Sequence, residues 1–412
     1  MSLFDMAIAN RSKTLPAFCI LAAGVGAAMH IGKLPPALPV LGQVLGVTLL
    51  QAGFLLSSMQ LAGMLLGLLT GLAVQRVGLK RSMMLGLLVV SLASALGALA
   101  ESAAWLLVTR ALEGLGFLWV VLPAPALLRQ SVAVERVNRV MGFWGAYMPL
   151  GTSLGLLLGP YVMHLAVPDM GWRLWWCVLS GWCALLALVV LWRIPADAKT
   201  MVSTANQKIL GLTLRSRPAW LLALSFAVYA GQWLAVVGFL PTIYALAGVA
   251  SAQAGWLTAL AAAANIVGNV SAGRLLERGV RPLTLLRTAF VAMACGALLA
   301  FLPHVDARLQ YAAVLVFSAV GGLIPATLFS LSVRLAPSPA AVSSTVGWMQ
   351  QWSAIGQFTA PPLVAWVAVR AGGWQWTGLI SVACCASGLL LASAIHRALE
   401  QARGQALQTR AA

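Results

Sequence analysis

Two ionisable residues stand three positions apart in a stretch otherwise almost free of charge. Arg110 and Glu113 interrupt the apolar run from Ala104 to Leu127. That spacing puts both side chains on one helix face. A guanidinium beside a carboxylate can simply neutralise it, with Arg110 also able to reach outward to the headgroups. The pair can equally act as a coupling device, in which desolvation and the neighbouring cation decide when Glu113 gains or loses a proton. His30 and Lys33 repeat the spacing of three, just before Pro35-Pro36. They fit either an interfacial pair or a positive lining that attracts an anionic group on a substrate.

The signatures of soluble catalysis are thin. No Walker A sequence and no H-E-x-x-H occur, so the chain does not itself use ATP through a P-loop. Cys19, Cys177, Cys183, Cys295, Cys384 and Cys385 all lie in apolar runs without zinc-ligand spacing. They read as small hydrophobes. The four histidines, His30, His164, His304 and His396, are scattered. No metal, no cofactor and no enzymatic activity are expected.

The elements that must position Arg110 and Glu113 follow from composition. Of the 412 residues, 61% are hydrophobic and 8% charged, against about 25% charged in soluble domains. A chain this poor in charge cannot cover a soluble surface, so it is an integral membrane protein. Runs of about 20 apolar residues mark spans. They fall roughly at Leu15–Leu34, Val47–Val74, Met83–Ala100, Ala104–Leu127, Val140–Leu165 and Trp172–Trp192. After a polar interval they continue at Ala219–Leu246, Ala252–Leu275, Leu283–Leu302, Leu309–Leu331, Val342–Val369 and Trp374–Ile395. The expectation is twelve transmembrane helices in an all-α membrane protein. Arg11 and Lys13 ahead of an apolar run resemble a signal peptide, but the run is long and eleven more follow, so it is read as the first span.

Charge placement gives orientation. With the N-terminus inside, 21 of the 26 basic residues fall on cytoplasmic segments and four outside, Arg110 being within a span. The net charge of +17 is therefore a record of topology and gives no reason to invoke nucleic acid. Both termini are expected in the cytoplasm and the protein in the inner membrane. Trp172, Trp175, Trp192 and Trp374, at span ends, read as interface anchors. The interval Arg193–Pro218 divides the chain into an N-terminal half (1–192), a cytoplasmic loop (193–218) and a C-terminal half with a short tail (219–412).

The halves repeat a loop. Gly71-Leu-Ala-Val-Gln75-Arg76-Val-Gly78-Leu-Lys80-Arg81 has a counterpart about 200 residues on, Gly273-Arg-Leu-Leu-Glu277-Arg278-Gly279-Val-Arg281. Two six-span halves related this way are a known transporter construction, with the substrate site between them near the midplane. The first loop resembles the G-x-L-a-D-R-x-G-R-K loop of the major facilitator superfamily. Arg110-Ala-Leu-Glu113-Gly114-Leu-Gly116 resembles that superfamily's R-x-x-Q-G-x-G motif. Gly151, Gly155, Gly159 and Pro160 resemble its antiporter motif in part, with Met163-His164 where Gly-Gly is usual. The overall texture is similar to the cyanate-permease-type branch and to small drug or siderophore exporters.

The resemblance implies two halves around a central cavity, proton coupling near Arg110, and gating at Gly71, Gln75, Arg76, Gly78, Arg81, Gly273, Glu277 and Arg278. The loop Asp of the family is Gln75 here, which implies a weaker cytoplasmic latch unless Glu277 and Arg278 compensate. Gly151, Gly155, Gly159 and Pro160 would form a tight seam, tilting direction toward efflux. His30, Lys33, Tyr147, Tyr229, Gln232, Asn265, Asn269, Gln350 and Gln351 are the candidates to line the cavity; all but His30 and Lys33 fit packing glue as well. The expected function is proton-coupled efflux of a siderophore, metabolite or drug by a monomer in the lipid bilayer. Import of a small anion is the alternative, with a passive facilitator or a non-transporting receptor also open. The expected partners are the substrate and protons, without nucleic acid.

Overall fold

The computed structural model describes residues 3–133, 140–141, 143–167, 169–196, 206–338 and 341–411, with the side chains of 3–14, 68, 71, 72, 75, 206–208 and 402–411 left outside that description. Every regular element among them is helical. The apolar runs leave no other solution in a bilayer, where each backbone amide must find a partner within its own segment.

The first part of the chain runs through α1 (Leu3–Gly32), α2 (Leu34–Val44), α3 (Leu49–Ser57), a 3-10 turn (Ser58–Gln60), α4 (Leu61–Val77), α5 (Leu79–Ala98), α6 (Ala103–Val121), α7 (Ala124–Ser131), α8 (Tyr147–Met163) and α9 (Gly171–Arg193). It continues with α10 (Asn206–Arg215), α11 (Arg217–Leu246), α12 (Ser251–Glu277), α13 (Pro282–Phe301), α14 (Ala307–Gly321), α15 (Leu323–Leu335), α16 (Val342–Ala371) and α17 (Trp376–Ala411). Among the described residues, ten helical stretches are long and apolar enough to cross a membrane, several of them composed of two consecutive helices such as Leu15–Val44. The expected fifth and eleventh spans correspond to α8 and α16. α8 is only 17 residues long, and α16 carries Gln350, Gln351 and Gln357.

Breaks in the helices have local causes. Pro35 and Pro36 remove two amides that would close onto the carbonyls of Ile31 and Gly32. α1 accordingly ends there, and Lys33 caps α2. The turns after α4 and α12 place Gly78 at φ +102° and Gly279 at φ +84°, a region costly for residues with a Cβ. Both glycines lie in the repeated loop sequences.

The chain divides into two compact units, Met1–Val202 with Gly238–Ala262, and Ser203–Val237 with Ala263–Ala412. In the first unit, α1 crosses α8 where Gly155 would set a Cβ 2.6 Å from the Met29 carbonyl oxygen, and Gly151 meets Val25 in the same way. α5 crosses α6 at Gly86 and Gly116, and α6 lies on the 3-10 turn where Gly114 faces the Met59 carbonyl. The second unit repeats the set. α11 crosses α16 at Gly231 and Gly356, with a Cβ on Gly231 2.5 Å from the Gly356 oxygen. α12 meets the α14–α15 junction through Gly268 and Gly322, and α13 meets α14 at Gly296. Glycine is needed at these points because backbone touches backbone.

Outward-facing leucines and valines such as Leu65, Leu92, Val108, Val267 and Leu390 are well exposed, as a lipid-facing surface requires. The tryptophans divide differently from the expectation. Trp192 is 76% exposed and suits an interface, but Trp172 and Trp175 are buried in the first unit. Trp172 packs edge-on against Trp176 at 5.5 Å. Gly159 supplies room for Trp175. Their position at a span end suggested anchoring, but Trp175 packs against Gly159 and Trp172 against Trp176 and the Arg173 guanidinium.

Candidate functional site

The break after α1 carries Lys33 into the interior of the first unit. Its ammonium donates to Glu113 Oε1 and to Ser94 Oγ at 2.8 Å, and it stands 4.5 Å from the centroid of the Trp176 ring. Ser94 in turn donates to the Trp176 carbonyl at 2.9 Å, fixing its oxygen toward Lys33. The other oxygen of Glu113 accepts from Arg110 Nη1 at 2.6 Å. Arg110 also donates to the His30 carbonyl at 2.7 Å, tying α6 to α1. His30 Nδ1 lies 3.7 Å from Glu113 Oε1, and its Nε2 is 3.3 Å from Cys183 Sγ.

His30, Lys33, Arg110 and Glu113 are all 0% exposed. Two pairs read separately from the sequence thus converge on a single carboxylate. Each cation compensates the desolvation of Glu113, and the attraction is strong in so dry a site. The compensation is incomplete, because Lys33 and Arg110 carry two positive charges against one negative. Ser94, Trp176 and Cys183 complete the cluster without having been anticipated. Nothing in helical spacing links them to Lys33, since they come from α5 and α9.

The second unit holds a neutral network at the corresponding helix pairs. Asn265 Nδ2 donates to the Tyr229 hydroxyl at 2.8 Å and to the Ser318 carbonyl at 2.9 Å. Trp233 Nε1 donates to Ser318 Oγ at 3.0 Å, and Asn269 Nδ2 to Asn265 Oδ1 at 2.9 Å. Gln232 accepts a bond from Cys385 Sγ at 3.4 Å, while its buried Nε2 has no partner. Gln350 and Gln351 are half-buried on α16. Tyr147, in the first unit, stacks on Trp144 at 4.2 Å.

The seam residues Gly151 and Gly155 lie against α1, and Gly159 against Trp175. Pro160 lies beside Gly255 of α12. Nearby, Ser153 donates to the Ala259 carbonyl at 2.8 Å. The letters Gly151-Thr-Ser153-Leu-Gly155 also spell the G-x-S-x-G nucleophile elbow. That elbow needs a strand-to-helix turn, whereas Ser153 sits within α8. Of the gating positions, Arg76, Arg81, Gly273, Glu277 and Arg278 are exposed, and Lys80 of the first loop donates to the Leu191 carbonyl at 2.8 Å. The burial of Gly71 and the side chain of Gln75 lie outside what is described.

The Major Facilitator Superfamily model matches residues 17–361. The chain belongs to that superfamily. It is a multi-pass membrane protein of this type. The superfamily fold is also that of a bacterial homologue of the human lysosomal transporter Spinster, inward-facing and occupied, with TM-score 0.72 at 17% identity over 95% of each chain. FucP in its outward conformation aligns with TM-score 0.68 at 17% identity, over 93% of this chain and 99% of FucP. Among curated relatives, the cyanate transport protein CynX of Escherichia coli (strain K12) is 26% identical over 45% of this chain and 47% of CynX. NiaP of Bacillus subtilis (strain 168), a candidate niacin/nicotinamide transporter, is 24% identical over 52% of this chain and 54% of NiaP. The methyl viologen resistance protein SmvA of Salmonella typhimurium is 33% identical over 26% of this chain and 21% of SmvA. The chain spans about half the length of the first two relatives.

Proposed function

We propose that this superfamily member is a proton-coupled secondary transporter that exports a small organic compound across the bacterial inner membrane by alternating access. The observation that carries the reading is the buried cluster of Lys33, Glu113, Arg110 and His30. Ionisable groups within a membrane cost about 2.5–3.5 kcal/mol each on insertion scales and mark proton or substrate pathways. A packing role alone would be met at lower cost by neutral residues, as in the second unit. The cluster is the coupling site, and His30 and Lys33 act in it with Arg110 and Glu113.

Tyr147, Tyr229, Gln232, Asn265, Asn269, Gln350 and Gln351 are the proposed substrate contacts. The halves 1–192 and 219–412 rock about that site, joined by the loop 193–218, with both termini cytoplasmic and the chain acting as a monomer. The seam of Gly151, Gly155, Gly159 and Pro160, together with the partial similarity to SmvA, favours efflux of a siderophore, metabolite or drug. Import of a small anion is the second reading. It is favoured by the surplus positive charge of the cluster and the similarity to CynX.

Proteoliposomes loaded with methyl viologen, nicotinamide or cyanate test the reading. The expected result is movement of one compound against its gradient only when a pH gradient is imposed, abolished by Glu113→Gln and by Arg110→Ala. Full gradient-driven transport by both variants contradicts the coupling role. Equilibration without accumulation identifies a facilitator, and no movement of any compound favours a receptor.

A further inference from the structure

We propose that the proton leaves and returns at Lys33 Nζ, and that Glu113 stays ionised throughout the cycle as the fixed partner of Arg110. The proposal rests on the proton-coupled reading and names the atom at which coupling occurs.

The first argument is occupancy. Both oxygens of Glu113 are engaged, Oε1 by Lys33 and Oε2 by Arg110. Each oxygen keeps a second lone pair, but a proton arriving there does so against two cations already in contact with the carboxylate. The second argument is charge. Lys33, Arg110 and Glu113 leave one positive charge in surplus, fully enclosed. Protonating Glu113 would raise the surplus to two. Releasing a proton from Lys33 leaves a neutral amine beside a balanced Arg110–Glu113 pair. An uncompensated buried charge costs several kcal/mol, so the balance selects release from a cation. Arginine does not give up its proton in proteins, which leaves Lys33.

The surroundings suit both forms of the amine. From α1, the imidazole of His30 faces the same carboxylate. From α6 come Arg110 and Glu113, from α5 the Ser94 hydroxyl, and from α9 the Trp176 ring and the Cys183 thiol beside His30. The ring face favours the ammonium. The neutral amine keeps two N–H groups, enough for both Ser94 and Glu113. In the transfer, one Nζ–H bond breaks, its electron pair stays on nitrogen, and the proton passes to a water molecule admitted from the open side. The reverse step reloads Nζ from the other side. Lys33 sits between α1 and α2, where Pro35 and Pro36 break the backbone ladder. A change of backbone angle there would move the amine with little cost in helical hydrogen bonds.

The test uses the full chain in lipid nanodiscs, without substrate. The sequence holds five lysines, Lys13, Lys33, Lys80, Lys199 and Lys208, so nitrogen NMR of chains labelled at Nζ can follow each. The Lys33 signal is assigned by its loss in Lys33→Met, and again in Lys33→Arg in case the neutral variant fails to fold. Infrared difference spectra report Glu113, assigned by loss of its band in Glu113→Gln. The expected result is passage of the Lys33 signal from ammonium to amine as pH is raised, with a Glu113 carboxylate band present throughout. A Lys33 signal that stays ammonium at every pH at which the chain is folded overturns the proposal. So does a protonated-carboxyl band from Glu113. Either result leaves the coupling reading intact, with the proton reassigned. Indifference of wild-type transport to a pH gradient would instead remove the coupling reading itself.

Discussion

The two units share one packing plan and fill its centre differently. Each crosses its helices at glycines, Gly155, Gly114 and Gly86 in the first, Gly356, Gly268 and Gly296 in the second. Each places a polar contact between the first and the fourth span of its half. In the first, Arg110 reaches the His30 carbonyl; in the second, Trp233 reaches Ser318. The first then adds Lys33 and Glu113, while the second adds Tyr229 and Asn265. Neutral hydrogen bonds suffice to hold such a bundle. The charges of the first unit are thus an added expense, which is the physical reason to look there for energy coupling.

The largest expected effect is from Glu113→Gln. It leaves Lys33 and Arg110 enclosed without a counter-ion, and removing one partner of a buried pair costs about 3–5 kcal/mol. Thermal unfolding in detergent should show a much lower midpoint for this variant. Reducing the uncompensated charge from two to one should recover part of it, so Glu113→Gln combined with Lys33→Met is expected to be more stable than Glu113→Gln alone. If the double variant is no better, the charge account of the cluster fails.

In the second unit, Asn265→Leu removes the donor to the Tyr229 hydroxyl and the acceptor of the Asn269 amide, while the Ser318 carbonyl keeps the Gly322 N–H. The expected loss is about 1–3 kcal/mol, the cost of unsatisfied neutral groups. A loss as large as that of Glu113→Gln would erase the contrast between the units. The glycine crossings should behave alike in both. Gly86→Ala and Gly296→Ala each force a Cβ toward opposing backbone, for an expected loss of about 1–3 kcal/mol, read by the same unfolding assay. The smallest effect is expected from Gln75→Asp, which restores the charge usual in the first loop of the superfamily. It should shift the balance between inward- and outward-open forms, measured by cysteine accessibility, with little change in stability. An unchanged balance removes support for a weakened latch.

Much of this plan was legible in the sequence because it depends on local spacing. The apolar runs gave the helices, and the duplicated loops gave the repeat, down to Gly78 and Gly279 at matching turns. The spacing of three brought Arg110 onto Glu113. What spacing cannot carry is the partner of Lys33, which lies 80 residues away across a helix interface. The same holds for Ser94 and Cys183. Trp172 and Trp175 were misread because position along a span says nothing of the face. For Trp175 the ring fits because Gly159 lies opposite it, a pairing that span position does not reveal. α8 falls short of the other spans in length, and α16 in hydropathy, because it carries the glutamines of the proposed cavity.

The claim that the first unit's charges carry the energy coupling is tested most directly by proton movement. Proteoliposomes containing a pH-sensitive dye would be given an outward or inward gradient of methyl viologen, nicotinamide or cyanate. The account predicts that a transported compound drives protons across the membrane in the wild type. It predicts that Glu113→Gln abolishes that flux, whereas Gly296→Ala lowers compound and proton flux together. Proton flux undiminished in Glu113→Gln would contradict it.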